Sequence, residues 1–130
     1  MAYEVERSER TLQSSIKDFR SGTIGFYDHD VEHLAEHHPD MVKHMDAIVD
    51  TLQDPDAVYH DVTMDASENG QSFYKHTSLL GNDKFRVKVV VAYDDATWTD
   101  GHFVTAHKVG MQKRKGEDDA LKIYEADRKK

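Results

Sequence analysis

The sequence predicts an α+β fold: an N-terminal helix pair packed on one face of a four-stranded antiparallel meander sheet. Three observations lead there. Apolar residues recur at helical spacing between residues 28 and 52, alternate with a period of two after Pro55, and the alternating runs are joined by hairpin-length connections. At 130 residues the chain fits one domain, residues 1–130, with a single core.

Residues 4–20 are polar and admit two readings. Ser8-Glu9-Arg10-Thr11 caps a helix carrying Leu12, Ile16 and Phe19 on one face, or the segment forms a strand pair. Gly22 and Gly25 bracket a short turn or strand over Thr23–Tyr27. Asp28 suits the N-cap of a first helix bearing Val31, Leu34 and Ala35. His38 precedes Pro39, so the helix bends there and Pro39 opens a second. Met41, Met45, Ile48, Val49 and Leu52 then give the strongest periodic signal in the chain, which Gln53-Asp54-Pro55-Asp56 stops. Strands follow at residues 57–65 and 72–80, separated by a Ser67-Glu68-Asn69-Gly70 turn. Phe85–Tyr93 is the clearest strand, with Phe85, Val87, Val89, Val91 and Tyr93 facing one way and Arg86 and Lys88 the other. A fourth strand spans residues 98–109 with an interruption near Asp100-Gly101. Residues 110–119 form a charged loop, and residues 121–124 are an edge strand or a short helix.

Composition excludes several chemistries. No apolar run approaches the roughly 18 residues of a membrane span. Zero cysteines rule out disulfides, thiolate zinc sites and cysteine nucleophiles, and fit a cytoplasmic location. No Walker loop, G-x-G-x-x-G or G-x-S-x-G is present, so nucleotide-cofactor and serine-hydrolase readings lack support. The net charge of −8 is unevenly spread. Residues 1–83 carry 6 basic and 17 acidic side chains, a balance of −11; residues 84–130 carry 11 and 8, a balance of +3. Such a chain can present a positive field on one face only. The plainer account is an acidic, soluble surface.

The chain holds nine histidines, five of them at positions 29, 33, 37, 38 and 44. His33-Leu34-Ala35-Glu36-His37 matches the H-x-x-E-H zinc-protease pattern, which would make Glu36 a base, but no third-ligand helix is evident. The alternative is metal-free acid–base chemistry. Cleaving RNA needs a base for the 2′-hydroxyl, an acid for the leaving oxygen and cations on the phosphate. Histidines supply the proton groups. Arg86 and Lys88 on one strand face could hold phosphate, with Thr105 or Tyr74 as hydrogen-bond donors.

Motif order adds a resemblance. Asp30-Val31-Glu32-His33-Leu34, His38-Pro39-Asp40 and the Ile48 to Val58 stretch are followed by Phe73-Tyr74-Lys75, Lys88-Val89-Val90-Val91, Val104-Thr105-Ala106 and Lys115-Gly116-Glu117. Over residues 24–118 this resembles a phage-type nuclease-fold family grouped with barnase, EndoU, the colicin-type tRNases and RelE. The resemblance implies two N-terminal helices on a four-stranded antiparallel sheet and a metal-independent endoribonuclease of toxin or phage-effector type, without cofactor. Its motif positions here are His33, His38, Tyr74, Lys75 and Thr105, while Asp40 stands where such domains carry Glu. Strand geometry adds Arg86, Lys88 and His107. The expected catalytic set is therefore His33, Lys75, Arg86 and Thr105, with His38, Tyr74, Lys88 and His107 binding substrate and no metal. The expected partners are RNA and a neutralising immunity or antitoxin protein. The alternatives are a catalytically inactive binding or phage accessory module of the same fold and, third, a zinc hydrolase.

Overall fold

The computed structural model describes residues 11–61, 69–94, 97–112 and 117–127. In chain order these form β1 (Leu12–Lys17), β2 (Thr23–Tyr27), α1 (Asp28–His37), α2 (Pro39–Val42), α3 (Met45–Gln53), β3 (Ala57–His60), β4 (Asn69–Lys75), β5 (Phe85–Tyr93), β6 (Asp100–Gly110) and β7 (Lys122–Glu125). Single 3-10 turns stand at Ser78–Leu80 and Asp119–Leu121. Among the described residues no helix is long and apolar enough to cross a membrane.

The sheet corrects the expected architecture. It has seven strands in the order β1-β2-β6-β5-β4-β3-β7, and it is mixed rather than a four-stranded antiparallel meander. β3 to β6 are consecutive antiparallel neighbours, but β2 docks parallel to β6 through Thr23, Ile24 and Gly25, and β7 pairs with β3 at the far edge. The chain also begins its described part with a hairpin, not a helix. A spacing of four between Leu12 and Ile16 satisfies a helical face and a strand face alike, and here Ile16 pairs with Ile24 across β1 and β2. The turn between them is wired by Asp18, whose Oδ1 accepts from the backbone N–H of Arg20 (2.8 Å) and Gly22 (2.9 Å). Ile24 and Phe26 alternate into the core, where the Phe26 ring stacks on Phe103 at 5.1 Å. This long-range burial holds the parallel strand in place.

The helical region is three segments rather than a pair. Tyr27, not Asp28, occupies the N-cap, with extended geometry, and Asp28 is the first helical residue; its Oδ1 accepts from His29 N at 2.7 Å and Thr11 N at 3.1 Å. His38 leaves helical geometry (φ −138°, ψ 62°) ahead of Pro39, as the proline requires. A second break at Lys43 and His44 splits the long periodic stretch into α2 and α3. Leu34, Met41, Ala47, Ile48 and Leu52 are wholly buried against one face of the sheet, made by Phe73, Val87, Val89, Val91 and Phe103. Burying a residue such as Leu52 is worth roughly 1.5–3 kcal/mol.

Strand boundaries differ in the middle of the chain. β5 has the bounds that its sequence predicts, and Val87, Val89, Val91 and Tyr93 join the core as expected, but Val90 and Ala92 on the opposite face are buried too. β4, however, begins at Asn69, so Asn69 and Gly70 are strand residues, while Ser67 and Glu68 lie outside the described residues. The part of the 57–65 strand beyond Asp61 also lies outside them. Residues 78–80 turn away instead of extending β4 because Thr77 caps them: its Oγ1 accepts from Leu79 N (3.2 Å) and donates to Asp50 Oδ2 (2.9 Å). Residues 122–125 form the edge strand β7.

Candidate active site on the face opposite the helices

Alternation along the strands sorts the side chains of the sheet. Lys75 and Val87 share the helix side. Their sequence neighbours Tyr74, Arg86 and Lys88 therefore project from the other face. Across that face the register aligns His107 of β6 with Lys88 of β5 and Tyr74 of β4. Thr105 pairs with Val90 and so lies one step along β6 from His107 on the same side. A bulge at Val90/Val91 in this pair keeps both Thr105 and Phe103 correctly faced, Thr105 outward and Phe103 into the core.

Tyr74 is the floor of the patch. It is buried, its ring meets Tyr59 edge-on at 5.7 Å, and two cations lie over it: Arg86 at 5.2 Å and Lys88 at 5.9 Å. Burial, reinforced by the negative charge of Glu117, pushes its phenol up to about 12, so the hydroxyl stays protonated at neutral pH.

Arg86 is fully engaged. Its Nη1 and Nη2 donate to the two carboxylate oxygens of the buried Glu117 at 2.6 and 2.8 Å, Nε donates to Gly110 O at 2.9 Å and Nη2 to Gln112 O at 3.1 Å. The Glu117 carboxylate accordingly raises the guanidinium above its ordinary value. Arg86 thus fastens both sides of the 110–117 connection to the sheet. Lys88, two residues on, is half-buried and forms no ion pair with any described residue.

The bend between α1 and α2 brings a second histidine in. His38 stacks on His107, with ring centroids 5.1 Å apart and planes within 24°. Pro39 creates the bend, and the next residue holds it: Asp40 Oδ2 lies 3.1 Å from Lys108 Nζ on β6. That hydrogen bond, opposed by partial burial, keeps the Asp40 carboxyl below its usual range. An aspartate is therefore long enough to close this contact.

Six of the eight expected site residues gather here: His38, Tyr74, Arg86, Lys88, Thr105 and His107. Two do not. His33 is exposed on α1 with its ring 4.3 Å from His37. Lys75 faces the helices and binds Asp50 (3.0 Å) and Asp54 (3.1 Å), fastening α3 to β4. Among the described residues no three His, Cys, Asp or Glu side chains gather in a metal-binding group, so the H-x-x-E-H pair finds no third protein ligand among them. Glu117 and Lys108 carry structural roles that sequence did not assign. Glu117 is separated from Arg86 by a strand, a turn and a second strand, so no local spacing announces the pair.

Comparisons with protein-family models, with curated proteins and with solved structures return no match. The geometry of this face is thus the basis for a functional reading.

Proposed function

We propose that this protein is a metal-independent endoribonuclease whose site is the His38–His107–Lys88 cluster. The observation that carries it is the stacked histidine pair set in register beside a cation with no ion-pair partner among the described residues, over a buried tyrosine. One imidazole takes the proton of a ribose 2′-hydroxyl and the 2′-oxygen attacks the adjacent phosphorus. The phosphorus–5′-oxygen bond breaks, and the other histidine, as imidazolium, gives its proton to the departing oxygen. Lys88 stabilises the charge gathering on the non-bridging phosphate oxygens, and the Thr105 hydroxyl donates to one of them. Arg86 is a positioning residue in this scheme, because Glu117 occupies its fork. The product ends are a 2′,3′-cyclic phosphate and a 5′-hydroxyl.

The phage-type nuclease family suggested by motif order supports the same chemistry, as does the basic balance of residues 84–130. In that setting the protein acts in the cytoplasm as a toxin or phage effector, and an acidic immunity or antitoxin protein would neutralise it by covering this face. A binding-only module is the second reading, favoured by the engagement of Arg86 with Glu117 and by the net charge of −8. Incubation of the full chain with labelled RNA in excess EDTA separates them. Cleavage to cyclic-phosphate ends supports the nuclease; retention of RNA without cleavage supports the module; cleavage only when divalent metal is restored overturns the metal-free mechanism.

A further inference from the structure

A second polar cluster lies on the helix-side face, toward the Tyr93 end of β5, and the nuclease chemistry makes no use of it. Arg20, in the β1–β2 turn, is covered by aromatic rings: its guanidinium carbon lies 4.6 Å from the centroid of Phe19, 4.6 Å from that of Trp98 and 5.5 Å from that of Tyr93. Its Nη2 donates to Gln71 Oε1 at 2.6 Å and to the Tyr93 hydroxyl at 3.3 Å. The Tyr93 hydroxyl in turn donates to Asp18 Oδ2 at 2.6 Å. Asp18 is committed to the turn through its other oxygen and approaches Arg20 only at 3.9 Å.

This arrangement leaves donors over. Arg20 Nε, Arg20 Nη1 and Gln71 Nε2 are buried and have no hydrogen-bond partner among the described residues, and Gln71 as a whole is 0 % exposed. Buried donors in folded proteins are nearly always satisfied, so each such group calls for an acceptor. All three are donors and none is an acceptor. What satisfies them must therefore bring lone pairs. The backbone points the same way. Trp98 is held at φ 55°, in the left-handed region, and its carbonyl lies 2.6 Å from where a side chain at Gly22 would begin. A bulky residue kept in that conformation with its ring over the guanidinium is the kind of strain that gathers at ligand clamps.

We propose that Arg20 and Gln71 form a binding site for a small oxyanion, the carboxylate or phosphate group of a ligand, distinct from the RNA-cleaving face. The anion enters along the Arg20 side chain, which is 24 % exposed, and accepts from Gln71 Nε2 or from an Arg20 nitrogen that Gln71 and Tyr93 leave open, beside the rings of Trp98 and Phe19. An anion is favoured over a neutral carbonyl because a hydrogen bond from a guanidinium to an ionised oxygen is the stronger kind.

Trp98 is the only tryptophan in the chain and reports on the site directly. The full chain is titrated with inorganic phosphate and, separately, with acetate, at constant ionic strength against sodium chloride, following Trp98 fluorescence. A saturable change with either anion is expected, and which one saturates first identifies the class. Gln71→Glu places a carboxylate against Arg20 in place of the donor amide. It should weaken the titration by at least about tenfold while RNA cleavage persists. Arg20→Lys, which removes the fork but retains the charge, should weaken it as well and serves if Gln71→Glu does not fold. No saturable response to either anion, or an unchanged midpoint in the variants, overturns the site and assigns the three donors to ordered water.

Discussion

The two faces of the sheet use their cations in opposite ways. On the helix side Lys75 and Lys108 are each tied to carboxylates of the helical layer, Lys75 to Asp50 of α3 and to Asp54 just past its end, and Lys108 to Asp40 of α2. Charge there fastens one layer to the other. On the opposite face Lys88 lies over Tyr74 beside His107 with no carboxylate among the described residues to neutralise it. Arg86 marks the boundary between the two uses: it shares the face of Lys88, yet Glu117 holds it as firmly as α3 holds Lys75. A cation on a strand therefore says little about function until its partner is known.

Substitutions that separate fastening from chemistry test this contrast. The largest effect expected is on turnover. His107→Ala and His38→Ala should each lower the rate of RNA cleavage by about 10²–10⁴-fold, the usual worth of a positioned acid or base, with little change in the thermal midpoint. Next comes Glu117→Ala, which leaves a half-buried guanidinium without its counter-charge. It should destabilise the fold by about 3 kcal/mol in a denaturant titration, a breakage of the kind that is costly when one partner of a buried pair is removed. Lys88→Met should do the reverse. Stability should stay within about 0.5 kcal/mol, whereas RNA affinity falls and the salt dependence of binding loses about one unit of slope. Lys75→Met should reduce stability by about 1 kcal/mol, since its ammonium is well covered but its carboxylate partners are wetter, and should leave cleavage unchanged. If Lys75→Met instead abolished cleavage with the fold intact, the division between the faces would fail.

The smallest effect is a pH dependence. The Asp40 carboxyl is held below its ordinary 3.8 by Lys108, so the bridge contributes its stability fully above that value. The contribution is lost as the pH falls through the lowered folded-state value. A thermal melt series from pH 6 down to acid should show this loss in the wild type and not in Asp40→Asn. The difference should be small, because the Asp40 side chain is 43 % exposed and screened by solvent.

Parts of this arrangement were legible in the sequence, and the limits have physical causes. The spacing of Phe85, Val87, Val89, Val91 and Tyr93 is enough to define β5 and its faces, because only one facing puts all five on the core side. The bend at His38 followed from Pro39 alone. By contrast, the β2–β6 pairing joins segments far apart in the chain, and nothing in the local pattern of Thr23–Tyr27 selects a partner or a parallel direction. Within the site, alternation already separates neighbours: Tyr74 and Lys75 are consecutive strand residues and cannot serve one face together. Motif position points to Lys75 and His33 as catalytic, whereas strand parity turns Lys75 to the helix side and only His107 shares a row with Lys88.

The most direct test is a side-by-side rate measurement with one RNA, in EDTA, for the wild type, His107→Ala and His33→Ala. The account predicts cleavage by the wild type, loss of at least about a hundredfold in His107→Ala, and a His33→Ala rate within about threefold of the wild type. Loss of cleavage in His33→Ala with His107→Ala still active, or no cleavage by the wild type at all, would contradict it.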